Sequence, residues 1–217
     1  MIKILIADDH AMVREGLKIY MQNVVAHASI EEACDGNSAF EKIKQNDYAL
    51  IVLDITMPAT DVFCLVSDIL KIKPYSRILI FTITSEEVYA KKLLTLGAMG
   101  YLNKEADSAE IKKAITNVIN GNKYLSLSLT DSLVDSAIHN KPTDNPFDLL
   151  TPRELQVARY LMNGSGISEI GTALQLHSST IGTHKAKILQ KLRCTNIVEI
   201  HQLGILYNII KNEKDNG

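Results

Sequence analysis

The chain has 217 residues, enough for one large domain or two small ones. Hydrophobic residues make up 46% and charged residues 22% of it, which is typical of a soluble globular protein. No apolar run approaches the roughly 18 to 20 residues of a membrane span, and the acidic pair Asp8-Asp9 stands where an export signal would continue apolar. We therefore expect a cytoplasmic protein with no membrane segment, whose three widely spaced cysteines are reduced.

The net charge of −2 hides a difference between the two parts of the chain. Residues 1–146 carry 15 basic and 19 acidic residues, a net of −4, whereas residues 147–217 carry 8 and 6, a net of +2. Between Glu169 and Glu199 there is no acidic residue at all, although Lys and Arg are present. An acid-free basic window of this kind favours a polyanionic partner.

Five apolar strands alternate with five helices in the first part of the chain. The predicted strands cover 3–7, 28–33, 50–53, 77–82 and 99–102, and the predicted helices cover 12–23, 38–45, 61–72, 86–96 and 107–120. The central run Leu50–Leu53 is continuously apolar, which indicates a strand buried on both faces. This alternation predicts an α/β fold with a doubly wound, five-stranded parallel sheet.

Residues 122–148 break the alternation with a mixture of polar residues and prolines. Their middle, about 128–138, has the spacing of a helix, and the remainder is typical of a linker. From Leu150 the chain is predicted to be all helical. A capping box at Thr151 and Glu154 begins the first helix, and further helices follow from about 167, 178 and 196. Two short helices joined by a turn, the second of them basic, form a helix-turn-helix.

Polar side chains follow the predicted strands at the points where they end. Asp8, Asp9, Asp54 and Thr82 follow three strands, and Lys104 follows the fifth. Because parallel strands end at the same edge of a sheet, these groups should meet there, where open α/β sheets bind ligands. Oxygen-only ligands suit Mg²⁺, and a carboxylate beside that ion can accept a phosphoryl group. For Asp54 alone, the residues leave open a turn-capping role and a chemical one.

The motifs of residues 1–121 resemble the receiver domain of response regulators, which has a flavodoxin-like fold. The matching segments are Ile6-Ala7-Asp8-Asp9-His10, Leu53-Asp54-Ile55-Thr56-Met57-Pro58, Phe81-Thr82 and Gly100-Tyr101-Leu102-Asn103-Lys104. The resemblance implies that Asp54 is the phosphoacceptor, assisted by Thr82 and Lys104. It also implies that Asp8, Asp9, Asp54 and the Thr56 backbone carbonyl bind Mg²⁺, and that Thr82 and Tyr101 form a switch pair. Val62 departs from the pattern, because the family has glycine there.

The third helix of the second part carries the polar and basic residues expected to meet DNA. The predicted contacts are Thr180, Thr183, His184, Lys185, Lys187 and Lys191. Residues from about Leu149 to Tyr207 resemble the LuxR-type helix-turn-helix of NarL/FixJ-like regulators. The resemblance rests on Leu150-Thr151-Pro152-Arg153-Glu154, Ile167-Ser168-Glu169-Ile170 and Ser179-Thr180-Ile181. Gly182 departs from it, because the family commonly has Lys or Arg there.

The two resemblances together predict a two-component response regulator rather than an enzyme. The expected parts are a receiver domain at 1–121, a linker at 122–146 and an all-α, four-helix DNA-binding domain at 147–217. The expected partners are a sensor histidine kinase, double-stranded DNA and a second copy of the chain after phosphorylation. Alternatives are a regulator that does not use phosphate, a four-helix interaction module, and a Mg²⁺-dependent phosphatase, which would need an acid where Thr56 stands.

Overall fold

The computed structural model describes residues 2–84, 86–127, 129–131, 134 and 145–210. The helix expected at about 128–138 therefore lies largely outside the described residues. Among the helices of the described ranges, none combines the length and the apolar character that crossing a bilayer requires.

The first part of the chain forms the predicted five-stranded parallel sheet. The strands are β1 (Ile2–Ala7), β2 (Ala28–Ala33), β3 (Leu50–Leu53), β4 (Ile78–Thr82) and β5 (Gly100–Asn103). Their order is β2-β1-β3-β4-β5, and every pairing is parallel. The switch from β1 to β3 opens a crevice at the carboxyl ends of these strands, which is where such sheets bind ligands.

Helices cover both faces of the sheet, which explains why β3 is apolar throughout. The helices are α1 (Ala11–Val24), α2 (Gly36–Gln45), α3 (Val62–Ile72), α4 (Glu86–Leu96) and α5 (Ser108–Ile119). Leu50 and Val52 pack with residues of α1 and α5, and Ile51 and Leu53 pack with residues of α2, α3 and α4. The predicted doubly wound, flavodoxin-like fold is thus confirmed.

The second part of the chain is helical, as predicted. After a 3-10 helix at Pro146–Leu149 come α6 (Pro152–Met162), α7 (Ile167–Leu174), α8 (Ser178–Leu192) and α9 (Ile197–Leu206). The capping box is present, because Thr151 accepts from the Glu154 backbone N–H and Glu154 accepts from the Thr151 N–H at 2.8 Å. The 3-10 helix was not predicted, because its four residues fall at the end of the polar segment and lack a helical repeat.

Candidate functional site

Three strand ends meet at one buried point of the sheet edge. Asp8 follows β1, Asp54 follows β3 and Thr82 ends β4, and their exposed fractions are 2%, 1% and 0%. The backbone N–H of Asp54 donates to the Ala7 carbonyl at 2.8 Å, which extends the β1–β3 pairing to the carboxylates. The side chains that the sequence placed at strand ends are therefore brought together.

Lys104 joins two of the carboxylates. Its Nζ lies 2.6 Å from Asp8 Oδ2 and 2.9 Å from Asp54 Oδ2. Burial alone would lower the pKa of this ammonium, but the hydrogen bonds to Asp8 and Asp54 outweigh burial and raise it. The cation thus offsets the repulsion between two buried carboxylates.

Thr56 holds both oxygens of Asp54. Its backbone N–H donates to Oδ1 at 3.2 Å, and its hydroxyl donates to Oδ2 at 2.6 Å. Burial alone would raise the pKa of Asp54, but the bonds from Thr56 and Lys104 outweigh it and lower the pKa. Asp54 therefore caps the turn after β3 and is also held ionised, so the two roles that the sequence left open are compatible.

Four side chains of this edge place ligand atoms within 4.8 Å of one another, namely Asp8, Asp9, His10 and Asp54. Asp9 Oδ1 is buried and accepts no hydrogen bond from the residues that the structure describes, although His10 Nδ1 lies 2.9 Å away. An unpaired buried carboxylate oxygen is costly unless a cation binds it, and carboxylate oxygens are the ligands that Mg²⁺ prefers. The residues present therefore fit a magnesium ion. His10 was not predicted, although its position next to Asp9 was the available signal.

The two residues of the predicted switch pair lie on neighbouring strands, Thr82 at the end of β4 and Tyr101 in β5. Tyr101 is fully buried, and its hydroxyl donates to the Thr84 carbonyl at 2.9 Å. The Thr82 and Thr84 hydroxyls lie 3.3 Å apart. Thr84, which the sequence did not single out, thus links Thr82 to the tyrosine. The signal was its spacing, because alternate residues after a strand often share a face.

In the loop after Asp54, Val62 stands where the family has glycine. Glycine is favoured where φ is positive, but Val62 does not have a positive φ. Val62 is the first residue of α3, and Asp61 caps the helix by accepting from the Phe63 and Cys64 N–H groups, each at 3.1 Å. The left-handed position falls at Ala59, with φ 51°. The loop also contacts the start of α2, because the Gly36 N–H donates to the Thr60 hydroxyl at 2.9 Å.

The same loop contacts α6 of the second part. Arg153 Nη1 lies 2.6 Å from Asp61 Oδ2, and Gln156 Nε2 donates to the Thr60 carbonyl at 2.9 Å. A separate contact uses Lys92 of α4, whose Nζ donates to the Asp148 and Leu150 carbonyls at 3.1 and 2.7 Å. No sequence pattern indicated these contacts.

Helix α8 presents a polar outer face. Ile181, Ile188 and Leu192 are buried, and helical geometry places the opposite side toward solvent. The exposed residues of α8 include Ser179, Thr183, Ala186, Lys187 and Gln190. Ser179, Ala186 and Gln190 of this exposed face were not among the predicted DNA contacts. The apolar repeat of α8 was the signal, because it indicated which face points away from the core.

The six predicted DNA contacts are not equally placed. Thr183 and Lys187 belong to the outer face, whereas Thr180, His184, Lys185 and Lys191 are half-buried. Lys191 Nζ forms an ion pair with Glu154 Oε2 at 2.6 Å. Burial, and then the charge of Arg153, lower the pKa of His184. Its Nδ1 is buried and has no hydrogen-bond partner within the described ranges.

Comparison with protein families gives two matches on this chain. The model described as "Response regulator receiver domain" matches residues 4–116, and the model described as "Bacterial regulatory proteins, luxR family" matches residues 148–203. The first match contains the acidic cluster, Thr82 and Lys104, and the second contains α6, α7 and α8.

Similar proteins match over nearly the whole length. The oxygen regulatory protein NreC of Staphylococcus carnosus is 32% identical over 94% of this chain and 96% of its own length. The response regulator UvrY of Escherichia coli is 27% identical over 98% of both. RcsB of Salmonella enterica serovar Typhimurium, solved with promoter rprA and BeF3−, shares the fold with a TM-score of 0.72 at 20% identity, over 93% of this chain and 97% of that one.

Proposed function

We propose that phosphorylation of Asp54 controls DNA binding by this chain and thereby transcription. The chain belongs to the response regulators that join a receiver domain to a LuxR-type DNA-binding domain. The observation that carries the proposal is the buried Asp54 carboxylate, held ionised between Lys104 and Thr56. A sensor histidine kinase would donate the phosphoryl group. Because that donor and the chromosome are both reached from the cytoplasm, the protein would act there.

We propose a role in the phosphoryl transfer for each residue around Asp54. An Asp54 oxygen would form the new P–O bond while the P–N bond of the kinase phosphohistidine breaks. Lys104 would pair with a phosphoryl oxygen, and Thr82 would donate a hydrogen bond to another. Asp8, Asp9, Asp54 and the Thr56 carbonyl would hold Mg²⁺. The ion supplies charge neutralisation at the phosphoryl oxygens.

The proposed domains are a receiver at 1–121, a linker at 122–146 and a DNA-binding domain at 147–217. The matched ranges 4–116 and 148–203 fall within the two domains. The outer face of α8 is the proposed contact with the major groove, because its Thr, Lys and Gln side chains are exposed and are of the types that bind base edges and phosphates. Structures of RcsB are described with DNA and as dimers on DNA, and we propose a homodimer on paired half-sites here.

Coupling between the two domains would pass through the loop after Asp54. This loop begins at the phosphoacceptor and ends at Asp61, which pairs with Arg153 of α6. In the unphosphorylated chain, Thr56 and Lys104 donate hydrogen bonds to the Asp54 carboxylate. A phosphoryl group on Asp54 adds negatively charged oxygens that would attract these donors, and the hydrogen bonds at the start of the loop would then change. The contacts of Thr60 and Asp61 with α6 would then weaken and free the DNA-binding domain.

The test measures DNA affinity of the full chain by fluorescence anisotropy, on a DNA pool containing its own promoter region. It is run with and without acetyl phosphate and Mg²⁺ for the unchanged chain, for Asp54→Ala, and for Asp68→Ala, which removes an exposed acid of α3. The phosphodonor should tighten binding in the unchanged chain and in Asp68→Ala only. Equal affinity in every sample would favour the regulator that does not use phosphate, and turnover of a phosphomonoester would revive the phosphatase.

A further inference from the structure

The Arg14 side chain ties the loop that carries the acidic pair to strand β2. Its Nη1 donates to the Asp8 carbonyl at 2.8 Å, and its Nε donates to Glu32 Oε2 at 3.2 Å. Lys18 donates to the other Glu32 oxygen at 2.9 Å. The Arg14 side chain is only 16% exposed, and its guanidinium is held between the loop and the strand.

The bonded carbonyl decides how Asp9 is oriented. The Asp8 carbonyl lies in the planar peptide that joins Asp8 to Asp9, so holding its oxygen fixes the rotation of that plane. The Asp8 N–H is bound to the Ala33 carbonyl at 3.1 Å, and the His10 N–H is bound to Asp8 Oδ1 at 2.9 Å. With Arg14 in place, the backbone on both sides of the Asp8 side chain is fixed.

Glu32 offsets the charge that Arg14 brings close to the acidic cluster. An unpaired cation there would compete with a metal ion for the carboxylates. The hydrogen bond from Lys18, followed by the one from Arg14, lowers the pKa of Glu32 although burial opposes them, so Glu32 stays ionised. Arg14 is therefore held by an ionised carboxylate of the strand, which it shares with Lys18.

We propose that Arg14, supported by Glu32, is a positioning residue for the metal site: it fixes the Asp8–Asp9 peptide so that both carboxylates face one divalent cation. This inference rests on the proposed magnesium site. Arg14 touches neither the ion nor the phosphoryl group, and it acts through the backbone that carries the ligands.

Two physical effects of removing Arg14 have opposite signs. If Arg14 acted only through its charge, Arg14→Gln would remove a cation near the acidic cluster and Mg²⁺ would bind more tightly. If it positions the ligands, the same change loosens the loop, and Mg²⁺ should bind about tenfold more weakly, as for other residues that orient metal ligands.

The test titrates the full, unphosphorylated chain with MgCl2 alone and follows binding by calorimetry. The unfolding midpoint in EDTA is measured separately, since a merely structural role would lower stability without changing metal affinity. Arg77→Gln is the matched control, because Arg77 Nη1 also donates to a backbone carbonyl, that of Ile119 at 2.6 Å. Arg77 directly precedes β4, so this contact lies at the amino ends of the strands, away from the acidic cluster. Arg14→Lys keeps the charge but lacks the fork that bridges the Asp8 carbonyl and Glu32, so it carries the test if Arg14→Gln fails to fold.

We expect weaker Mg²⁺ binding in Arg14→Gln and Arg14→Lys, and unchanged binding in Arg77→Gln. Equal or tighter binding in Arg14→Gln, or in Arg14→Lys when only that variant folds, overturns the positioning role. Equal weakening in Arg77→Gln also overturns it, since the loss of any arginine–carbonyl contact would then suffice. If the unchanged chain binds no Mg²⁺ at all, the proposed metal site itself fails, which is a distinct result.

Discussion

Arg153 and Asp61 are separated by 92 positions in the sequence, yet they form a 2.6 Å ion pair between helix α6 and the loop that follows the proposed phosphoacceptor. Asp61 also caps α3, and Arg153 also binds the Gln156 side chain and the Leu174 carbonyl. One carboxylate thus serves a helix start in the first domain and a contact with the second.

The first prediction concerns the energy of this ion pair. In a double-mutant cycle with Asp61→Asn and Arg153→Gln, we expect a coupling energy between about 0.5 and 3 kcal/mol, because the two groups are in direct contact. Asn retains the ability to cap α3, so the change isolates the charge. The free energy of unfolding of the four chains is measured in urea, and strictly additive effects would show that the contact does not stabilise the unphosphorylated chain.

The second prediction concerns Gly182 in helix α8. A Cβ built there would meet nothing within 4 Å, so Gly182→Ala should stabilise the chain by about 1 kcal/mol through helix propensity alone. Gly182→Lys should in addition tighten DNA binding and steepen its salt dependence by about one phosphate contact. Affinity measured at several salt concentrations separates the two, with Gly182→Ala as the uncharged control. An unchanged salt slope in Gly182→Lys would place this side of α8 away from DNA.

The third prediction compares two buried tyrosines. Tyr89 is 2% exposed and its hydroxyl has no partner among the described residues, whereas the Tyr101 hydroxyl donates to the Thr84 carbonyl. Tyr89→Phe should therefore raise the free energy of unfolding by about 1 kcal/mol, and Tyr101→Phe should lower it by about the same amount or more. Both changes remove one oxygen, so each is the control for the other. Two losses of similar size would mean that Tyr89 is hydrogen-bonded in solution.

The fourth prediction concerns pH and Glu154, whose side chain is 5% exposed. Burial alone would raise its pKa, but hydrogen bonds from Lys191 and Thr151 outweigh burial and lower the pKa below the ordinary 4.5. A carboxyl whose pKa is lowered by folding stabilises the fold at pH values above its pKa in the unfolded chain. That contribution is lost as the pH falls through its pKa in the folded chain.

The stability difference between the unchanged chain and Glu154→Gln should therefore close as the pH is lowered from about 7 to about 3. Lys191→Gln removes the first of the groups that lower this pKa, so in that variant the loss should be smaller and should be complete at a higher pH. Urea unfolding at each pH provides the measurement. A difference that stays constant with pH would show that Glu154 titrates alike in the folded and unfolded chain.

Much of the fold follows from local patterns. The apolar run Leu50–Leu53 predicted a strand covered on both faces, and the sheet indeed has helices on each side. Thr151 and Glu154 predicted the start of α6 to the residue, because a capping box is set by two side chains three positions apart. The meeting of Asp8, Asp54 and Thr82 followed from parallel topology alone.

What the sequence did not predict depends on contacts between distant segments. The approach of Arg153 to Asp61 and of Lys92 to the Leu150 carbonyl is decided by how two domains pack, which leaves no local repeat. The set of DNA contacts was chosen by residue type, and the structure shows that Lys191 is paired with Glu154 while Gln190 is exposed. Whether the proposed contacts meet DNA stays a prediction.

The loop from Pro58 to Asp61 is anchored to three helices at once. The Thr60 hydroxyl holds α2 at Gly36, Asp61 holds α3, and the Thr60 carbonyl and Asp61 together hold α6. A segment with several simultaneous anchors gives them up together, because packed contacts are bistable rather than continuously deformable. A sample in which only some molecules are phosphorylated on Asp54 should therefore contain two discrete conformations. Transcription would then depend on the ratio of the two populations rather than on a gradual change in the shape of each molecule.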